Sequence, residues 1–184
     1  MAIVLVTGAK GFLGSHLVSR LQQQGDEVRM FVHGDAGFAG AGPRDGEMVA
    51  GDIRDADAVS RAIKGVDKVI HTVSNFRKGG SDTDYAYAIN VAGTENVLQA
   101  CRQHQVERLV HCSTIGVHGD VKEIPATETT PFNPCDLYQE TKLIAEKKVW
   151  GFADRHQLPV SVVRPISMFG PGDTRMLKLF RMIK

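Results

Sequence analysis

The turn Thr7-Gly8-Ala9-Lys10-Gly11-Phe12-Leu13-Gly14 constrains this chain more than any other stretch. An apolar run, Ala2 to Val6, precedes it and reads as a buried parallel strand. An amphipathic stretch with Phe12, Leu13, Leu17 and Leu21 on one stripe follows at once. The spacing T-G-x-x-G-x-x-G between them predicts a tight turn that opens a helix. Gly8 turns the chain, Gly11 lets a pyrophosphate approach the backbone, and Gly14 lets helix and strand pack closely. Unpaired N–H groups and the helix dipole then face an anion. Candidate cofactor contacts in this turn are Gly8, Gly11, Phe12 and Leu13.

The same strand-then-helix alternation runs on down the chain. Strand patterns fall at Glu27 to His33, Glu47 to Ala50, Lys68 to Val73, Glu107 to Ser113 and Pro159 to Arg164. Helical patterns fall at about Gly11 to Gln24, Asp55 to Lys64, Asp84 to Gln103 and Cys135 to His156. The stretch Gly34 to Gly46, rich in glycine and alanine, reads as a loop. Six strands alternating with helices imply an α/β, Rossmann-type, doubly wound parallel sheet with helices on both faces. The expected strand order is 3-2-1-4-5-6, with a dinucleotide crevice at the carboxyl ends of strands one and four.

Composition narrows the partners. With 22 basic and 21 acidic residues the net charge is +1, and no basic stripe suggests nucleic acid. No apolar run approaches a membrane span, and the N-terminus shows no signal-peptide pattern, so a cytoplasmic location is expected. Cys101, Cys112 and Cys135 show no metal-ligand spacing and read as reduced thiols.

In the nucleotide half, NAD enzymes usually end strand two on an acidic residue that binds the ribose 2′-OH. Here that position holds Val32 or His33, and His33, Arg29 or Arg44 could face a 2′-phosphate. The reading leans toward NADP; the alternative is that Asp35 swings back to take NAD. Asp52 either accepts from an adenine amino group or merely begins the next helix turn, and Ile53 packs on the ring. Thr72, Val73 and Ser74 end strand four and would line the cofactor, while His71 reads as a packed core histidine.

Tyr138 and Lys142 stand four apart on one helix face. A tyrosine of pKa about 10 is a poor base at neutral pH, and a nearby ammonium lowers that value. Such a pair can move a proton to or from an alcohol oxygen while Lys142 binds ribose hydroxyls; the alternative is an ordinary surface pair. Ser113 and Thr114 end strand five, where a hydroxyl can orient a substrate oxygen or simply cap the strand. Taken together, the glycine turn, the hydroxyl pair and the Tyr-x-x-x-Lys favour the functional readings.

These residues are where a resemblance emerges. The chain resembles the extended short-chain dehydrogenase/reductases, the NAD(P)-dependent epimerase/dehydratase family. The carriers are the Thr7–Gly14 turn, Gly51-Asp-Ile-Arg-Asp55, Asp67-Lys-Val-Ile-His71, Asn90-Val-Ala-Gly-Thr-Glu-Asn96, Ser113-Thr114 with Gly119, Tyr138-x-x-x-Lys142, and Arg164-Pro-x-x-x-Phe-Gly-Pro-Gly-Asp173. The resemblance implies Thr114 as the catalytic hydroxyl beside Ser113, Tyr138 as acid/base and Lys142 as its partner. It implies Asn90 as support for the site and Pro165 as the start of a segment passing the nicotinamide. Strand two looks more like the dihydroflavonol and hydroxysteroid reductases, or a hopanoid-associated epimerase-like group, than the sugar-nucleotide members. His118 stands where many of those carry tyrosine. No acidic pair follows Thr114, which disfavours dehydration.

The implied activity is hydride transfer between a nicotinamide cofactor and a hydroxyl or carbonyl of a sugar nucleotide or small ketone or aldehyde. The alternative is a non-catalytic NAD(P)-binding sensor or interaction module. Family members run to roughly twice this length, so residues 1–172 are expected to form the cofactor domain. Residues 173–184 are expected to open a largely absent substrate domain whose apolar face (Leu177, Phe180, Ile183) lacks a partner. Weak or no turnover by this stretch alone is expected. Analogy suggests a homodimer.

Overall fold

The computed structural model describes residues 1–34, 46–76, 82–122 and 124–173. Asp35, Arg44 and the expected 174–184 helix lie outside the described residues. Six parallel strands form one sheet: β1 (Ile3–Thr7), β2 (Glu27–Val32), β3 (Glu47–Ala50), β4 (Lys68–His71), β5 (Arg108–Cys112) and β6 (Val160–Val163). Their order, β3-β2-β1-β4-β5-β6, is the one the alternation predicts. The helices are α1 (Phe12–Gln23), α2 (Ala56–Ile63), α3 (Thr83–Tyr87), α4 (Gly93–Gln103) and α5 (Leu137–His156). None of the helices among the described residues is long and apolar enough to cross a membrane.

Side chains alternate across the sheet because successive Cβ atoms point to opposite faces. Leu5, Val69 and Leu109 pack with Val59, Ile63, Val97, Leu98 and Val149, which places α2, α4 and α5 on one face. Val6, Met30 and Val32 pack with Val18 of α1 on the other. In parallel register Thr7 pairs with His71, and His71 with His111. A polar row therefore crosses the carboxyl ends of three strands, directly beyond the apolar row Leu5–Val69–Leu109.

Two elements differ from their expected bounds. Strand β4 stops at His71 because the Thr72 hydroxyl turns to donate to the Thr7 carbonyl oxygen at 2.6 Å. The single helix expected from Asp84 to Gln103 is interrupted by a π-helical turn, Ala88–Ala92, between α3 and α4. Asn90 sits inside that turn.

Helix α2 starts as its sequence predicts. The Asp55 carboxylate accepts from the Asp57 and Ala58 N–H groups at 2.9 and 3.1 Å. Replacing this cap, Asp55→Ala, is expected to cost about 1 kcal/mol, measurable as a lower urea midpoint with an unchanged m-value.

Candidate functional site

The glycine turn is packed too tightly for side chains. Gly8 has φ +69°, and a Cβ there would sit 2.9 Å from the Thr72 hydroxyl and 3.2 Å from the Val73 nitrogen. A Cβ on Gly14 would lie 2.2 Å from the Gly8 carbonyl oxygen, so Gly14 packs against the turn itself. Helix α1 begins at Phe12 with no side-chain cap and no acidic residue in its first turn. Its first N–H groups, at Phe12 and Leu13, have no partner within the helix. This cradle fits a pyrophosphate, as the spacing predicts.

Beside it lies a cleft of about 250 Å³ lined by Gly8, Phe31, His33, Gly51, Asp52, Ile53, Val73, Ser74, Tyr85 and Ile89 among others. Its apolar walls suit an adenine ring. The Asp52 carboxylate accepts from Arg54 through both side-chain oxygens, which pulls its pKa down to about 2. Arg54 in turn lies over the Tyr85 ring, 5.2 Å from its centroid. Tyr85 escapes a reading by sequence because it reaches the adenine side from α3, more than thirty residues after Asp52.

The lean toward NADP finds no support in the described cations. Arg29 donates to Glu47 at 2.6 Å and to the Ala62 and Lys64 carbonyl oxygens at 2.9 and 2.6 Å, so it is committed at the rim of α2. His33 Nδ1 lies 3.9 Å from an Asp52 carboxylate oxygen, which places an anion where a 2′-phosphate would need cations.

The Thr72 hydroxyl braces β1 against β4, and Val73 and Ser74 line the cleft. Asn90 is held by protein groups. It is buried, its carbonyl oxygen accepts the Asn75 N–H at 2.7 Å, and its amide donates to Thr141 Oγ1 at 2.9 Å. Thr141 donates to the Tyr138 carbonyl oxygen at 2.9 Å. Asn90 thus fixes the first turn of α5, which carries Tyr138, rather than touching a ligand. The π turn supplies this placement by adding a residue to the helix.

His71 is the core histidine the sequence suggests. The Thr94 hydroxyl gives its only proton to the Asn90 carbonyl oxygen at 2.7 Å, so His71 Nε2 must donate to Thr94 at 3.1 Å. Nδ1 then accepts from the Thr7 hydroxyl at 2.8 Å, which itself accepts the Thr72 N–H at 3.1 Å. The network thereby assigns a neutral ring, and burial, with Lys142 adding repulsion, pushes its pKa down to about 3. His111 is next in the row, 5.5 Å from His71 between ring centroids, with neither ring nitrogen hydrogen-bonded. Burial likewise holds it well below its usual value.

On α5, Tyr138 is half-buried and packs edge-on against Phe76 at 4.7 Å. Burial raises its pKa; the nearby Ser74 hydroxyl offsets part of that rise, while Cys112 and Asp136 add to it. Lys142, expected to lower it, is not among the groups that shift it. The Lys142 side chain is 1% exposed, and among the described residues it has no hydrogen-bond or ion-pair partner. Burial pulls its pKa down to about 8, against the pull of Cys112 and Glu146 in the other direction. A cation this buried is costly, and a ribose hydroxyl pair would offset that cost.

Strand β5 delivers Ser113 and Thr114. Ser113 is buried with its hydroxyl facing, but not properly bonded to, the Glu146 carboxylate. Thr114 is half-buried and its Oγ1 accepts the Gly116 N–H at 3.1 Å, leaving its own proton to donate. The 3₁₀ turn Ile115–His118 is held against α5 by the close approach of Gly116 to Gln139. The Ile115 N–H donates to the Pro165 carbonyl oxygen at 3.0 Å, and His16 Nε2 donates to the Pro171 carbonyl oxygen at 3.0 Å. The 165–171 segment therefore spans from the Thr114 turn to α1, with Ile166 and Phe169 exposed along it.

Behind Lys142 lies a group that sequence reading missed. Glu146 is 1% exposed and accepts from Arg164 Nε at 3.1 and 3.2 Å and from Nη2 at 2.5 Å. Trp150 Nε1 also donates to it at 3.4 Å. These contacts outweigh burial and keep its carboxyl below its ordinary value. Arg164 Nη1 donates to His118 Nε2 at 3.1 Å, and His118 Nδ1 donates to the Pro131 carbonyl oxygen at 3.2 Å. Glu146 follows Lys142 by one helical turn, a spacing that could have flagged it. Among the described residues no cluster of histidine, cysteine or carboxylate side chains could hold a metal ion.

Comparison with known proteins agrees with this geometry. The model of the NAD dependent epimerase/dehydratase family matches residues 4–184. The 3 beta-hydroxysteroid dehydrogenase/Delta 5-->4-isomerase of Mycobacterium tuberculosis is 36% identical over 98% of this chain and 51% of its own length. Sterol demethylase protein B of Methylococcus capsulatus is 34% identical over 93% of this chain and 53% of its own length. The solved UDP-glucose 4-epimerase of Thermus thermophilus, in complex with NAD, superposes with a TM-score of 0.80 at 32% identity, over 88% of this chain and 54% of that one. The chain spans about half the length of the curated relatives it matches.

The two buried neutral histidines predict acid sensitivity. The unfolded chain takes protons on them below about pH 6.5, whereas the folded chain refuses them until well below that. Their contribution is therefore fully present above that pH and lost as pH falls, by about 2 kcal/mol per histidine at pH 5. Urea unfolding at pH 7 and pH 5 should show the loss, and His111→Leu should remove its own share of it.

Proposed function

The chain belongs to the NAD-dependent epimerase/dehydratase family of extended short-chain dehydrogenases, and on that footing we propose that it binds NAD and interconverts a secondary alcohol and a ketone on an apolar skeleton. The observation that carries the reading is Lys142, only 1% exposed, one helical turn from Tyr138. Gly8, Gly11 and the first N–H groups of α1 would hold the pyrophosphate. Ile53, with Tyr85 and Ile89, would wall the adenine. Lys142 would donate to the nicotinamide ribose. When bound, NAD supplies the hydride acceptor, and its reduced form the donor.

The protein's own residues handle the proton. Thr114 donates its hydroxyl proton to the substrate oxygen and orients it, with Ser113 behind it. Tyr138, kept protonated by burial, gives its proton to a carbonyl oxygen during reduction and takes one from the alcohol in reverse. The Lys142 ammonium favours the phenolate once the site is filled.

NAD is preferred over NADP because Arg29 is committed and Asp52 stays ionised beside His33. The NAD found with the epimerase of Thermus thermophilus is in keeping with this. The apolar substrate class rests on Phe76, Ile166 and Phe169, which are exposed beside Tyr138 and along the 165–171 segment. The steroid-type relatives and the strand-two pattern point the same way.

Calorimetric titration tests the binding half of the proposal. NAD should bind, Lys142→Met should weaken it by about tenfold, and NADP should bind less well than NAD. In reduction of cyclic ketones Tyr138→Phe should lower kcat by about 10²–10⁴-fold with NAD affinity unchanged. Full turnover by Tyr138→Phe, or turnover of nucleotide sugars alone, would refute it.

A further inference from the structure

Lys142 and Glu146 share one face of α5 and are both 1% exposed. Among the described residues they form no direct ion pair. Glu146 instead spends its hydrogen-bonding capacity on Arg164 and Trp150. A carboxylate fixed in this way is held in one place and stays ionised. Every other titratable group facing Lys142 is uncharged near neutrality. His71 of β4 and His111 of β5 are neutral, and Cys112 of β5 is a thiol kept protonated by burial. Tyr138, one turn earlier on α5, is a phenol. Glu146 is therefore the one fixed negative charge in the compartment.

We propose that Glu146 is the positioning residue for Lys142: its carboxylate, clamped by Arg164, keeps the Lys142 side chain charged and aimed at the cofactor cleft. This inference rests on the NAD reading above. Without Glu146 the ammonium would face burial and two histidine rings with Cys112 alone to offset them. The Arg164 guanidinium has the complementary task. It fixes the position of Glu146 and links this charge through His118 to the segment around Pro131.

The test is the pH dependence of NAD affinity, measured by calorimetry from pH 6 to 10 on the whole chain. Affinity should fall as pH rises through about 8, where Lys142 loses its proton. His71 and His111 are neutral throughout this range and do not contribute. Lys142→Met should abolish the limb, and Cys112→Ser should leave it in place. Glu146→Gln should move the midpoint down by about one pH unit. Arg164→Gln breaks the same ion pair but removes a positive charge, so its midpoint should stay or rise.

A purely structural clamp would make the two variants alike. Equal downward shifts in both, an unmoved midpoint in Glu146→Gln, or a limb that survives Lys142→Met would overturn the inference. If Glu146→Gln does not fold, Glu146→Gln/Arg164→Met leaves no unpaired buried charge, and its midpoint should fall below that of Arg164→Gln if Glu146 acts on Lys142. Absence of NAD binding at every pH would overturn the NAD reading and this inference with it. Binding with an unshifted midpoint overturns this inference alone.

Discussion

A single neutral imidazole holds the catalytic end of this sheet together. His71 accepts from Thr7 on β1 and donates to Thr94 on α4, and Thr94 passes its proton to the carbonyl of Asn90 in the π turn. Asn90 then reaches Asn75 and Thr141. One chain of hydrogen bonds thus joins the strand that precedes the glycine turn to the helix that carries Tyr138 and Lys142. Each link is buried or nearly so, where a missing partner costs more than a present one contributes. A protonated His71 would have no acceptor role to offer Thr7, and the chain would break at its first bond.

Local rules reach some of this architecture directly. The glycine turn, the strand order and the Asp55 cap follow from spacing and side-chain chemistry over a few residues, and the structure has them where expected. The pairing of Tyr138 with Lys142 is a helical spacing and is equally local. What could not be read is what acts across the sheet. Arg29 looks like a phosphate ligand in its strand, yet it is captured by carbonyl groups of α2 more than thirty residues away. Asn90 reads as support for the site, yet its partner Thr141 on α5 is reached only because the π turn swings it inward. Lys142 was expected to tune Tyr138, but without a ligand it sits apart and burial governs both groups. Each miss has the same origin: a polar group's role is decided by partners that only the assembled fold supplies.

Charge is handled differently at the two ends of the cleft. At the adenine end Asp52 and Arg54 pair at the half-exposed rim, where solvent moderates both and the Tyr85 ring covers the guanidinium. At the nicotinamide end the charges are buried and kept apart on the scale of hydrogen bonds. Glu146 belongs to Arg164, and Lys142 is left with its hydrogen-bonding capacity unspent. An ammonium held in a buried compartment is a standing cost to the fold. A ligand that relieves it gains affinity by the same amount, which is a way for a small domain to store binding energy in advance.

The place of Trp150 has a practical consequence. It is the single tryptophan of the chain, its indole is partly exposed, and its N–H points at the Glu146 carboxylate. Indole emission responds to a charge held so close to the ring. The molecule therefore carries a built-in optical reporter beside its buried ion pair, and changes in that charge can be followed as a shift in fluorescence without attaching any label.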